Sequence, residues 1–194
     1  MIKQLKSLML TAFSAFSVFS LPTAANAADA GDKITSFETV MVLGKDASLN
    51  VAESINVDFG RNTHHGIYRF IPCKTIVQGR RMSCHISSKS ASCDNSPCQS
   101  DVSMEGDNFK IRLGDPSRVL SGRHTYRIEY EVSGAVRLSK NNPELYWNVT
   151  GNGWKMPIES ARATLLVPDT IQPSQVKATC FKGETLSKHN GITV

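Results

Sequence analysis

Large apolar residues return at every second position over several short runs of this chain. Leu49, Val51, Ile55, Val57 and Phe59 lie on one such row, with polar residues between them. The same period recurs in Phe109-Ile111-Leu113, in Tyr126-Ile128-Tyr130-Val132 and in Ala161-Ala163-Leu165-Val167. A period of two puts alternate side chains on one face of an extended backbone, so each run predicts a strand with one buried face. Turn-forming residues separate the runs: Gly44-Lys45-Asp46, Gly60-Arg61-Asn62, Gly106-Asp107-Asn108, Gly114-Asp115-Pro116, Ser133-Gly134 and Gly151-Asn152-Gly153. No stretch carries a convincing 3.6-residue stripe. Short strands with one wet face and frequent turns predict an all-β, antiparallel β-sandwich, with a partly open β-barrel as the alternative.

The N-terminus departs from this pattern. Lys3 and Lys6 precede an apolar run from about Leu8 to Leu21, which Pro22 interrupts and Ala25-Asn26-Ala27 closes. A basic start, an apolar segment and a small-x-small site predict a cleavable signal peptide, with a helical apolar part, over residues 1–27. The apolar part spans roughly 14 residues, shorter than the roughly 20 of a membrane helix. Residues 28–194 are then one exported domain, in the periplasm or at the outer face of the inner membrane. Without Lys3 and Lys6 the formal net charge falls from +5 to about +3. Lys74 and Arg80-Arg81 have no interleaved aromatic platform, so nucleic acid is excluded as a partner.

All five cysteines follow the signal, in a compartment where disulfides persist. The stretch from Gln78 to Ser103 is rich in Ser, Cys, Asn and Asp and poor in large apolar residues, and it reads as a loop excursion. With its flank it forms a Cys-rich insertion at about residues 73–103. Local pairing of Cys73 with Cys84 and of Cys93 with Cys98 is favoured, although four cysteines allow three connectivities and the sequence does not choose among them. Cys180 is then expected to carry a free thiol. Zinc is a weaker reading, because only Cys93 and Cys98 approach knuckle spacing, and neither a metal nor another cofactor is expected.

Catalytic motifs are missing: there is no nucleophile elbow, phosphate loop, dinucleotide fingerprint or zinc-protease helix. His64-His65 are adjacent, so on an extended chain their rings point to opposite faces. Glu53 breaks a rule by lying on the same row as Leu49, Val51, Ile55 and Val57. A carboxylate there must be paired or protonated, with Arg69 and Arg127 as candidate partners, unless the strand turns to let it reach solvent. Tyr146-Trp147-Asn148 and Trp154 combine aromatics with turn residues, a pattern able to stack on sugars or partner chains, although a strand, a turn and a core tryptophan explain it as well. The candidate binding residues are Glu53, Tyr68, Arg69, Tyr146, Trp147 and Trp154, and no catalytic residue is assigned.

Several segments in order carry a resemblance: Leu49-Asn50-Val51-Ala52-Glu53-Ser54-Ile55, Gly66-Ile67-Tyr68-Arg69-Phe70-Ile71-Pro72, His124-Thr125-Tyr126-Arg127-Ile128-Glu129-Tyr130, Glu144-Leu145-Tyr146-Trp147-Asn148-Val149-Thr150-Gly151, then Trp154 and Pro157-Ile158. Over roughly residues 34 to 182 the chain resembles the bacterial predicted membrane proteins of domain of unknown function 2207. The resemblance implies an extracytoplasmic β domain behind a signal peptide and ahead of membrane helices, and it assigns no activity. Two departures stand out: the Cys-rich insertion, and an end at Val194 with no membrane helix. Gly191-Ile192-Thr193-Val194 reads as the start of a further strand, so the domain is expected to be incomplete at its C-terminus. The resemblance further implies that the natural partner of Cys180 lies beyond Val194, and that membrane association runs through segments absent from this chain. The expected function is a non-catalytic envelope domain that binds an envelope ligand or a membrane-protein partner. The competing readings are an envelope hydrolase built on Glu53 with His64 or His65, and a purely structural module of a membrane complex.

Overall fold

The row that begins at Leu49 becomes the central strand of the molecule in a computed structural model that describes residues 31–77, 80–137, 143–182 and 187–189. The expected signal peptide and Gly191-Ile192-Thr193-Val194 lie outside the described residues. In chain order the strands are β1 (Lys33–Leu43), β2 (Leu49–Asp58), β3 (Ile67–Pro72), β4 (Lys74–Val77), β5 (Arg80–Ser83), β6 (His85–Cys93), β7 (Ser96–Pro97) and β8 (Ser100–Glu105). They continue as β9 (Asn108–Leu113), β10 (Arg123–Ser133), β11 (Val136–Arg137), β12 (Glu144–Leu145), β13 (Ala161–Leu166), β14 (Cys180–Lys182) and β15 (Ser187–His189). No helix among the described residues is long and apolar enough to cross a membrane.

Six strands form one sheet in the order β13-β1-β2-β10-β6-β7, three form a second in the order β3-β9-β8, and the rest make two-stranded hairpins. The sheets do not close into a barrel, and the architecture is a sandwich. Leu49, Val51, Ile55 and Val57 of β2 and Tyr126, Ile128, Tyr130 and Val132 of β10 supply the inner face of the larger sheet. Ile67 and Ile71 of β3, with Phe109, Ile111 and Leu113 of β9, complete the same core from the smaller one. Burying one such aliphatic side chain stabilises the fold by about 1.5–3 kcal/mol.

Three expectations change. Residues 80–105 are mostly strand rather than loop excursion: β6 pairs antiparallel with β10 over Tyr126–Ser133, and β8 pairs with β9. Ile86 is the one residue of β6 in the core, so backbone pairing with β10, not apolar burial, holds this Ser-rich strand in the sheet. The row Ala161-Ala163-Leu165 was expected to be half buried, yet β13 is exposed along its whole length. Among the described residues it is the outermost strand of its sheet, separated by β1 from the central pair β2 and β10. Nor is the larger sheet purely antiparallel, since β13 runs parallel to β1. The pairing of β1 with β2 slips between Ile34 and Ser36, a β-bulge that carries the buried set from Ile34 to Phe37 and on to Thr39 and Met41.

Cys73 is bonded to Cys84 and Cys93 to Cys98, with Cα atoms 4.9 and 5.1 Å apart. The first bridge ties the end of β3 to the start of β6 across the β4–β5 hairpin, and the second closes the turn between β6 and β7. Cys180 lies exposed at the start of β14.

Candidate functional site

Glu53 and Arg69 occupy inward positions of β2 and β3, so the packing of one sheet on the other brings them face to face. Both side chains are completely buried. Arg69 Nε donates to Glu53 Oε2 at 2.7 Å and Nη2 to Oε1 at 2.7 Å, a two-pronged ion pair. Tyr130 of β10 donates its hydroxyl to the same Oε1 at 2.6 Å. The remaining guanidinium protons go to main-chain carbonyls: Nη1 to Phe70 at 2.7 Å and Thr150 at 2.9 Å, and Nη2 to Val149 at 2.9 Å. All five N–H donors of Arg69 therefore have an acceptor. Desolvation works against its charge, but the Glu53 carboxylate outweighs it and holds the Arg69 pKa above its ordinary value. Burial also pushes the Tyr130 hydroxyl well above the usual tyrosine value, and the adjacent Glu53 charge adds to this.

The ion pair fixes more than the core. Of residues 146–154, none lies in a strand, and their path is held by side chains reaching the backbone. Arg69 grips the carbonyls of Val149 and Thr150, Trp154 Nε1 donates to Thr150 O at 2.8 Å, and Asn148 Oδ1 accepts from the Gly151 N–H at 3.0 Å. Asn152 then bridges to Phe70 of β3. Gly151, at φ 70°, has no room for a side chain: a Cβ there would sit 1.9 Å from Arg69 Nη1 and 2.2 Å from Phe70 O.

Held in this way, the segment forms one wall of an open cleft of about 380 Å³. Tyr146, Trp147, Asn148 and Asn152 face, across the cleft, the Cys73–Cys84 bridge, Lys74, Asp107 of the β8–β9 turn and Asn108 at the start of β9. Tyr146 is 45% exposed. Trp147 packs at 6.4 Å from the Tyr130 ring, and its indole N–H is buried without an acceptor. A disulfide, a buried ion pair and main-chain bonds hold the walls, so the cleft is preformed, and its volume falls within the roughly 300–1,000 Å³ of small-ligand sites.

Of the six candidate binding residues, the structure brings together Tyr146 and Trp147. Glu53 and Arg69 are withdrawn into the core, where they brace the cleft wall instead of touching solvent. Tyr68 points away on the outer face of β3, 51% exposed, with Lys110 Nζ 4.7 Å from its ring. Trp154 is half-buried edge-on to Phe37 at 6.1 Å. Sequence reading passed over Asp107, Asn108 and Asn152, because each stands in a Gly-containing turn that accounts for it locally. The available signal was confined to Asn152, an amide that repeats Asn148 close to Tyr146-Trp147.

The histidines are engaged elsewhere and do not converge with Glu53. His64 Nε2 lies 2.8 Å from Asp32 Oδ2 while its ring stacks on Phe59 at 4.3 Å. His65 Nδ1 donates to Arg118 O at 2.7 Å. His124 holds Asp94 at 2.8 Å and Ser121 O at 3.0 Å. Asp94 sits below its ordinary pKa despite desolvation, because His124 and the Thr125 N–H bond its carboxylate. Among the described residues no three His, Cys, Asp or Glu side chains gather as a metal site.

Comparison with known proteins gives a family model described as the N-terminal domain of predicted membrane proteins (DUF2207), which matches residues 33–194. The uncharacterized protein YciQ of Escherichia coli strain K12 is 29% identical over 138 residues, covering 68% of this chain and 21% of its own length. The chain thus spans about a fifth of that relative. Among solved structures, an M1 zinc metallopeptidase from Deinococcus radiodurans aligns with a TM-score of 0.38 at 13% identity, over 56% of this chain and 21% of that one. Leukotriene A4 hydrolase from Saccharomyces cerevisiae aligns at 0.39 and 8% identity, over 57% of this chain and 18% of that one. At such scores neither likeness bears on activity.

Proposed function

The chain belongs to the predicted membrane protein family DUF2207, as its N-terminal domain, and from that premise we propose that it is a non-catalytic binding domain displayed outside the cytoplasm. In this reading it is tethered to the inner membrane through segments that follow the domain in the longer proteins of the family. The observation that carries the binding role is the preformed cleft between Tyr146-Trp147 and the Cys73–Cys84 bridge, braced from behind by Glu53 and Arg69. The two disulfides support an oxidising compartment. The hydrolase reading loses its geometry, because Glu53 is buried and bonded to Arg69 and Tyr130, while His64 and His65 bond to Asp32 and Arg118 and do not line the cleft.

The test is a two-dimensional NMR titration of the full chain with soluble envelope extract, together with turnover assays on cell-wall and peptide substrates. Shifts confined to Lys74, Asn108 and residues 146–152, without turnover, are the expected result. Turnover that disappears in His65→Ala, or an unperturbed cleft, overturns the proposal. A structural module is the second reading, favoured by the β13 edge, unpaired among the described residues, and the exposed strip of Val40, Val42 and Leu166 beside it. It predicts shifts along β13 and β1 instead of the cleft.

A further inference from the structure

We infer that the cleft takes an uncharged, polyhydroxylated glycan segment, with Tyr146 and Trp147 as the stacking wall and the surrounding side-chain amides as the hydroxyl readers. This inference rests on the binding-domain reading above and adds the chemical class of the ligand. Four features of the lining lead to it. Asn108, Asn148 and Asn152 each present a carbonyl and an NH₂ group, so each can donate and accept, as sugar hydroxyls do. Asn148 uses its Oδ1 on the Gly151 N–H, which leaves its NH₂ for a ligand acceptor. Tyr146 and Trp147 add flat apolar surface with polar tips, suited to a ring that has C–H faces and a hydroxylated rim. The indole N–H of Trp147 is the one buried side-chain polar group of that wall without an acceptor among the described residues.

Charge and backbone chemistry argue against the other ligand classes. Lys74 and Asp107 are the charged lining residues, one of each sign, so the cleft has no net charge to attract a phosphate or a carboxylate polymer. A peptide would add as a strand, using free main-chain groups along an edge. Here the N–H groups of Cys73 and Lys74 both point to Asp107 O, at 2.9 and 3.1 Å, and the Cys84 N–H goes to Cys73 O at 2.8 Å. With those donors occupied, side chains are left to read the ligand from this wall of the cleft.

The experiment is calorimetric titration of the full chain, purified with its disulfides intact. The probes are tetra-N-acetylchitotetraose, cellotetraose and an alanine-rich tetrapeptide, each followed by NMR to place the contact. Binding of a tetrasaccharide at the cleft is expected, weakened about tenfold or more by Tyr146→Ala or Asn152→Ala, as for removal of a central contact residue. Trp147→Phe keeps the stacking ring and removes only a buried N–H, so affinity is expected to stay within a few-fold of the parent and the melting temperature within a few degrees. Exposed Tyr68→Ala, outside the cleft, serves as the control and leaves affinity unchanged. Peptide binding at the cleft without sugar binding overturns the glycan assignment and leaves the binding-domain reading standing. So does a cleft that responds to envelope extract but to neither tetrasaccharide. A cleft silent to every probe and to the extract overturns both, as does sugar binding indifferent to Tyr146→Ala and Asn152→Ala.

Discussion

Arg69 shows how one residue can be costly to bury and still be required. Taking a guanidinium and a carboxylate out of water costs several kcal/mol per ion, and only a complete set of partners offsets it. Arg69→Met removes those partners at once and leaves Glu53 as an uncompensated buried charge beside loose carbonyls at Val149 and Thr150. The expected loss is about 3–5 kcal/mol in urea unfolding, accompanied by new protease sensitivity between 146 and 154. Unchanged stability would mean that Glu53 finds another partner. Two buried tyrosines offer a sharper contrast. Tyr130→Phe deletes a hydrogen bond to a charged acceptor and is expected to cost about 1.5–3 kcal/mol, whereas Tyr126 has a buried hydroxyl without a partner, so Tyr126→Phe is expected to be neutral or about 1 kcal/mol stabilising. Burial raises the Tyr126 pKa to about 12, with Asp94 adding to it. A raised folded-state value favours the fold below the unfolded tyrosine pKa of about 10. Stability should therefore fall as pH rises from about 10 through 12, a loss measurable by urea titration and smaller in Tyr126→Phe.

At the scale of elements, β6 shows a strand held by its neighbours more than by its own side chains. Its partner β10 is long, regular and apolar on its inner face, and β6 follows the hydrogen-bonding template that β10 presents. The Cys93–Cys98 bridge closes the turn that returns β6 into β7. In the chain-entropy account, a bridge between residues this close is worth about 2 kcal/mol and the Cys73–Cys84 bridge about 3 kcal/mol. Paired serine substitutions, Cys93→Ser with Cys98→Ser and Cys73→Ser with Cys84→Ser, should lower stability in that order in urea melts. The second pair should also blunt the NMR response of the cleft, because that bridge is part of its wall. Equal effects on the cleft from both pairs would argue that the wall is held by β3 and β9 alone.

For the whole molecule, the arrangement of strands predicts where the fold opens. β2 and β10 sit in the middle of the larger sheet, paired on both sides and covered by the smaller sheet. β13 terminates the sheet among the described residues, is exposed on both faces, and carries Leu165 and Leu166 at 38% and 51% exposure. Native-state hydrogen exchange should find β2 and β10 amides protected close to the global unfolding free energy, and β13 amides exchanging by local opening. Equal protection of β13 would mean that another segment or chain covers its outer edge, as the structural-module reading requires. Open edges of this kind invite pairing with other chains.

Alternation by itself determined β2, β9 and β10, since a row such as Leu49-Val51 or Tyr126-Ile128-Tyr130-Val132 has one low-energy arrangement, with its apolar face against another sheet. The turn residues between these rows determined that the strands would be short and the class a sandwich. Local spacing also favoured the two short-range disulfide pairs. Tertiary structure decided the rest, because the information lay in the partner and not in the segment. A bulge at Ile34/Ser36 hid the period of β1, pairing with β10 turned the Ser-rich residues of β6 into strand, and an edge position left the regular row of β13 exposed. The choice of Arg69 over Arg127 for Glu53 depended on which arginine faced inward from the opposing sheet. The cleft was least visible of all: Lys74, Asn108 and the segment holding Trp147 and Asn152 come from three distant parts of the chain, and only sheet packing places them around one space.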